Sequence, residues 1–266
     1  MTTPSDRPCS QTPLIDLRDH ETYVRGHWPG STHLPWPALC ERLNELPCRP
    51  AALQLVATDA AQADQATRFL TEKGYGVTQI LSEDALLNTP EPGLVKNRFD
   101  SKRLWQPSEG VRAFVEEDLP AALGDPTGSM TALDIGCGGG RDSVYLATHG
   151  WQVTAVENQS RVLERALTLE AGQRLTQPQC FVAVDWQCQD ITDPDASCWQ
   201  AEYDLILAVR FLERSLWPHI RQSLRPGGFV LFETFAQGAE QFGGPKNPTG
   251  CLSRVSWHKP LLTFAL

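Results

Sequence analysis

Three glycines, Gly136, Gly138 and Gly140, follow directly on the apolar run 131–135 in a G-x-G-x-G spacing, and they constrain the chain more than any other feature. The run is short, aliphatic and β-branched with no polar alternation, as suits a parallel strand covered on both faces. Beyond the glycines, 143–149 carries apolar residues at helical spacing, and Gly150 stands where such a helix stops. Strand, tight turn and helix in that order predict the first βα unit of a doubly wound sheet, whose side-chain-free turn lets backbone approach a ligand closely. The next strand, 152–156, ends at Glu157, about 20 residues past the first glycine, where such folds keep an acid for ribose hydroxyls.

The spacing also discriminates between ligands. A dinucleotide fingerprint would place its third glycine at 141, which is Arg141, and a phosphate loop would end in Gly-Lys-Ser/Thr, which is absent. The run 133–140, Leu-Asp-Ile-Gly-Cys-Gly-Gly-Gly, with Glu157 after it, resembles the first two motifs of class I S-adenosylmethionine-dependent methyltransferases. The resemblance implies S-adenosylmethionine as cofactor, held by Asp134, Gly136, Gly138, Gly140 and Glu157. It gives a further role to Asp190 and Ile191, at the end of a strand in 181–191: the acid meets the exocyclic amine of adenine and the apolar neighbour covers the ring. The alternative for Asp190 is to cap the turn that follows it.

The apolar run 203–209 reads as the fourth, central strand, and Val209 at its end completes the implied cofactor set. That end delivers Arg210, Phe211, Leu212, Glu213 and Arg214 to the crevice where doubly wound folds bind ligands. Arg210 is the candidate catalytic residue, a cation for an anionic acceptor, with an ion pair to Glu213 as the alternative. Residues 133–143 and 209–214 together look similar to the tellurite-resistance type of small-molecule methyltransferase, which implies a thiol-like or chalcogen oxyanion-derived acceptor. A short helix, 217–224, a Pro-Gly-Gly turn and a fifth strand, 229–235, continue the methyltransferase pattern. After Gly250 only 251–266 remain, so the domain, 108–266, is expected to be C-terminally short, leaving a sheet edge with Phe232, Phe235 or Phe242 exposed. Asn247-Pro248 follows the fifth strand rather than the fourth and reads as a turn, not as a nucleic-acid amino-methylation motif.

The first part of the chain is organised differently. Residues 1–10 are polar and read as a flexible tail, followed by a buried strand in 13–18, a short helical segment ending at Gly26, and a Pro/Gly-rich stretch to Pro35. Asp16, Arg18, Tyr23, Gly26, His27, Pro29, Gly30, His33 and Pro35 together resemble the rhodanese-like fold, a small α/β sulfurtransferase domain, here 11–88. The resemblance implies a nucleophilic cysteine just past the strand 53–56, where this chain has Ala57. A methyl group cannot take up sulfur, and Asp59 in the following loop repels anionic substrates, so no sulfurtransferase activity is expected. Docking of a partner, a homodimer contact and a scaffold role all remain open for such a domain.

The segment 89–107 is Pro/Gly-interrupted and reads as a linker, and Ser108 is placed to cap an amphipathic helix over 109–123 that Pro120 ends or bends. Trp105, beside Lys102 and Arg103, either lines the cofactor mouth or packs where linker meets domain. With 266 residues, 41% hydrophobic and 21% charged, the chain is long enough for two ordinary α/β domains. Its net charge of −9 argues against a nucleic-acid partner. No leader or membrane-length apolar run is visible, so a cytoplasmic protein without membrane contact is expected. The 8 cysteines form no C-x-x-C pair, and no metal site is expected. Two function classes fit: a small-molecule methyltransferase with an inert appendage, or a non-catalytic cofactor-sensing or partner-docking protein.

Overall fold

Runs of aliphatic and β-branched residues alternate with segments of helical period along most of the chain, and the result is two parallel-sheet units. The computed structural model describes residues 11–88, 93–123, 129–176 and 181–234, divided into a first unit ending at Trp105 and a second beginning at Gln106.

In the first unit, β1 (Leu14–Asp16) leads to α1 (His20–Arg25), capped by Asp19, and to the two-residue β2 (Thr32–His33). β3 (Ala51–Ala57), α2 (Ala60–Glu72), β4 (Tyr75–Ser82) and α3 (Glu83–Leu87) follow. Among the described residues the sheet order is β2-β1-β3-β4, all parallel. Ala63, Ala66 and Leu70 on one face of α2 bury against Ile15, Leu53 and Leu55 of the sheet. Beneath α1, Arg18 makes a bidentate bond to Asp16, Nε to Oδ1 at 3.0 Å and Nη2 to Oδ2 at 2.7 Å, and Nη2 also donates to the Gly26 carbonyl. Both charges are buried, and because Arg18 Nη1 also lies 3.7 Å from Glu83 Oε1, it is removal of Arg18 that strands a charge, on Asp16, at a cost of about 3–5 kcal/mol.

The stretch 93–105, expected as linker, is held on this unit. His27 and Val95 exchange backbone hydrogen bonds, the Lys102 N–H donates to the Ser31 carbonyl, and the Tyr23 hydroxyl donates to the Asp100 carbonyl. Trp105 is buried, with the Arg103 guanidinium 4.9 Å from its ring centre. Main-chain groups make most of these bonds, and composition does not register them.

The second unit opens with one continuous helical segment: α4 (Glu109–Ala113), a π-helical turn (Phe114–Asp118) and α5 (Leu119–Leu123). Pro120 neither ends nor breaks it. The Leu119 N–H bonds to the Phe114 carbonyl five residues back, and the widened turn accommodates the proline ring, which would otherwise press on the carbonyl four residues earlier.

The sheet is built from β5 (Thr131–Ile135), β6 (Gln152–Glu157), β7 (Asp185–Cys188), β8 (Tyr203–Val209) and β9 (Leu224–Glu233). These are joined by α6 (Arg141–Thr148), α7 (Ser160–Thr176) and α8 (Trp217–Ser223). Described strands run β7-β6-β5-β8-β9, all parallel, with Leu133, Ile135, Val156, Ile206 and Val230 in one buried cluster.

Two strands differ from expectation. β7 is shorter than 181–191 because the Val182 N–H goes to the Ala147 carbonyl and the Val184 N–H to Glu170, which takes both out of the ladder. β9 begins earlier than expected, and the Pro-Gly-Gly sequence forms an irregularity within it, opposite the register shift between Tyr203 and Leu205, rather than a separate turn. At this edge Phe232 is half-buried and stacks on the exposed Trp217. Phe235, Phe242, Asn247, Pro248 and the segment 251–266 lie outside the described residues. No helix among the described residues is long and apolar enough to cross a membrane.

Candidate functional site

The carboxyl ends of β5, β6 and β8 and the segments after β7 and β8 surround a cavity of about 460 Å³, within the range of ligand sites. Of the residues expected to hold the cofactor, Gly136, Glu157, Asp190 and Ile191 line it, and so does Arg210. Asp134, Gly138, Gly140 and Val209 do not, and each of the first three has another task.

The turn after β5 needs its glycines for distinct reasons. Gly136, Gly138 and Gly140 all have positive φ, at 68°, 55° and 75°. A Cβ on Gly140 would lie 2.6 Å from Trp186 Cη2 and 2.7 Å from Ala166 Cβ, so this glycine lets β7 and α7 pack on the turn. At Gly138 a Cβ would meet nothing within 4 Å, and here the backbone is open. The Gly138 N–H donates to Glu157 Oε2 at 3.2 Å, and the Gln159 N–H donates to Oε1 at 3.0 Å. Glu157 therefore ties the turn to the end of β6 while facing the cavity, and each of its oxygens retains a lone pair for a ribose hydroxyl.

Asp134 is buried under the turn and accepts from Ser143 Oγ at 2.5 Å, fastening α6 to β5. Burial, reinforced by repulsion from Asp142, pushes its carboxyl up to about 7. Asp142, in the first turn of α6, accepts from the Ser108 N–H at 2.6 Å, yet burial holds its carboxyl above the usual range. Burial likewise pushes the Cys137 thiol far up, so it stays protonated and is no nucleophile.

Asp190 caps the turn that follows it and also lines the cavity. Its Oδ1 accepts from the Thr192 N–H at 2.9 Å and Thr192 Oγ1 at 2.7 Å, which caps the following turn and lowers its carboxyl. Both bonds fall on one oxygen, and the residue still lines the cavity beside the buried Ile191.

Across the cavity, Arg210 is exposed and adopts φ 59°, and its N–H donates to the Glu233 carbonyl at 2.6 Å. Among the described residues its side chain forms no ion pair. Glu213 instead caps the turn after it, accepting from the Ser215 N–H at 3.0 Å and Oγ at 2.8 Å, bonds that lower its carboxyl. Asn158, Gln159 and Gln189 also line the cavity and were not singled out from sequence; their positions next to Glu157 and Asp190 were the available signal.

The parallel sheet thus carries, at its carboxyl edge, a glycine turn and two cavity-lining acids, Glu157 and Asp190, at the place where open α/β sheets bind ligands. Residues 133–230 match the family model described as a methyltransferase domain. The chain is 28% identical over 155 residues to the ubiquinone biosynthesis O-methyltransferase of Idiomarina loihiensis, covering 53% of this chain and 59% of that protein. It is 32% identical over 109 residues to the enzyme of the same name from Coxiella burnetii, covering 38% of this chain and 42% of that one. An uncharacterized protein of Schizosaccharomyces pombe, UNK4.09, is 23% identical over 275 residues, covering 87% of this chain and 79% of that protein. The chain thus spans only part of the length of the two O-methyltransferases. The second unit carries a class I S-adenosylmethionine-dependent methyltransferase domain, and S-adenosylmethionine is its cofactor. The residues present fit it: Glu157 and Asp190, each with carboxylate acceptor capacity left, and the apolar Ile191 line one cavity.

Proposed function

We propose that the second unit transfers the methyl group of S-adenosylmethionine to a thiol-like or chalcogen oxyanion-derived small molecule, and that the first unit is a rhodanese-like domain without sulfurtransferase chemistry. The observation that carries the first half is the gathering of Glu157, Asp190, Ile191 and Arg210 around one cavity. The bound cofactor supplies an electrophilic methyl and its own leaving group. What falls to the chain is alignment and exclusion of water: Glu157 for the ribose, Asp190 and Ile191 for the adenine, and Arg210 for an anionic acceptor.

The state of the cavity's acids supports the acceptor class. Asp190 and Glu213 have lowered carboxyls and are weak bases, and among the described lining residues there is neither histidine nor lysine. Such a site suits an acceptor that is soft or arrives already deprotonated. The O-methylation named for the ubiquinone relatives is a competing reading, and it would call for a base to take a hydroxyl proton.

For the first unit, the loop after β3 supports inertness. Ala57 is its buried last strand residue, the Thr58 N–H is held by Gln62 Oε1 at 2.9 Å, and Asp59 accepts from the Gln62 N–H at 2.8 Å. Two backbone donors of the loop are thus used within it, and Asp59 adds a negative charge unfavourable to an anion. We assign this unit to docking a cytoplasmic protein partner or a second copy of the chain.

Release of S-adenosylhomocysteine from the full chain in the presence of thiols, tellurite, selenite and catechols tests the reading. Turnover with the sulfur or chalcogen panel supports it, turnover with catechols alone favours O-methylation, and cofactor binding with no turnover favours a sensor. Replacing Arg210 by Ala should lower kcat about 10–100-fold and leave cofactor affinity within about threefold, on the scale of a lost charge-stabilising donor. Equal losses in both would remove Arg210 from that role.

A further inference from the structure

Gly136 does not do what a glycine in this turn is expected to do. A Cβ there would lie 2.9 Å from Phe211 Cδ2 and 3.0 Å from Cγ, so the space that its missing side chain leaves is taken by the Phe211 ring. Phe211 is half-buried, rests on the cluster containing Leu133 and Ile135, and lines the cavity. Its position is set by Arg210, whose φ of 59° turns the chain at the end of β8. A left-handed arginine costs about 1–2 kcal/mol, and such strain clusters where function demands it.

The sheet order indicates which part of the cofactor this ring meets. Asp190 follows β7, Glu157 ends β6, and Gly136 and Phe211 follow β5 and β8, in the spatial order β7-β6-β5-β8. With adenine assigned to Asp190 and ribose to Glu157, the atom bonded to the ribose 5′ carbon comes next along that line. That atom is the sulfonium.

We propose that Phe211 recognises the sulfonium charge of the cofactor, discriminating S-adenosylmethionine from its demethylated product. The inference rests on the assignment of the cavity to this cofactor. An aromatic ring attracts a cation through its quadrupole, most strongly where water is excluded, and has no such attraction for a neutral sulfide. The carboxylates of Glu157, Asp190 and Glu213 also favour the cation, so the test must alter the ring and leave them in place.

The test is a calorimetric titration of the full chain, its Phe211→Leu variant and its Phe211→Tyr variant with S-adenosylmethionine and with S-adenosylhomocysteine. Leucine keeps apolar bulk and loses the quadrupole. Phe211→Leu should weaken S-adenosylmethionine about three- to tenfold and S-adenosylhomocysteine less than about twofold, in line with partly desolvated cation–π contacts. Phe211→Tyr should keep the parent's ratio of the two affinities. The ratio is taken within each variant, so a variant that is partly unfolded still reports it. An unchanged ratio in Phe211→Leu, or an equal loss of both ligands, overturns the sulfonium role while leaving the cofactor assignment standing. Failure of the parent to bind either ligand overturns the assignment itself.

Discussion

The loops after β3 in the first unit and after β5 in the second occupy equivalent places, each leading from the carboxyl end of an interior parallel strand into a helix. One is sealed by its own side chains and the other is open to a cavity at Gly136. After β3, Asp59 caps α2 and Gln62 holds the Thr58 N–H, so two side chains tie the loop to its own helix. After β5, α6 starts at the left-handed Gly140 with no side-chain cap, the Gly138 N–H is held by Glu157 of the next strand, and Gly136 lines the cavity. The same architecture closes on itself or opens to a cavity according to what the residues after the strand face: side chains of the loop and its helix, or the space at the sheet's carboxyl edge.

The largest effect should come from closing the open loop. Gly140→Ala forces a Cβ into Trp186 and Ala166 at positive φ, and should destabilise the second unit by about 3–5 kcal/mol in urea unfolding. Gly138→Ala meets no atoms and should cost only about 1 kcal/mol. Similar costs at the two positions would show that the glycines do not have separate tasks.

Next in size is a pH effect confined to the second unit. Asp134 has its carboxyl raised from 3.8 to about 7, so the fold binds this proton more tightly than the unfolded chain does. The stabilisation is complete below the ordinary carboxylate pKa and is lost as pH rises through about 7, on the order of 2–4 kcal/mol. Melting followed from pH 4 to 8 should show the decline, and Asp134→Asn should remove the larger part of it, since Asp142 is shifted in the same direction. An Asp134→Asn profile as steep as the parent's would contradict the assignment.

The smallest effect concerns the sealed loop. Asp59→Ala removes a helix cap and should cost about 1 kcal/mol, read by hydrogen exchange along α2. Ala57→Cys should supply a thiol and still give no thiosulfate:cyanide transfer, because Gln62 and Asp59 hold the Thr58 and Gln62 N–H groups and Asp59 repels an anionic donor. Activity from that single change would show that the seal does not matter.

The open loop was legible in the sequence because glycines and strand-terminal acids announce themselves by spacing: Glu157, Asp190 and Arg210 meet at one cavity as the strand order requires. What was not legible depends on partners distant in the chain. The packing of Trp186 on Gly140 and of Phe211 on Gly136 emerges only once those rings are placed. Asp134 looks like a site residue because it precedes the glycines, but strand alternation turns it inward to Ser143. Pro120 signals a helix end, and a π-helical turn absorbs it instead. The stretch 93–105 has the composition of a linker and is held by main-chain bonds.

The claim on which the rest depends is that the cavity beside the glycine turn holds the nucleoside of the cofactor. Calorimetric titration of S-adenosylhomocysteine into the full chain and its Glu157→Ala variant tests it most directly. The account predicts one equivalent bound by the parent and about 100-fold weaker binding by the variant, which loses charge-assisted bonds to the ribose together with the tie to Gly138. A parent that does not bind, or a variant that binds as tightly, would contradict it.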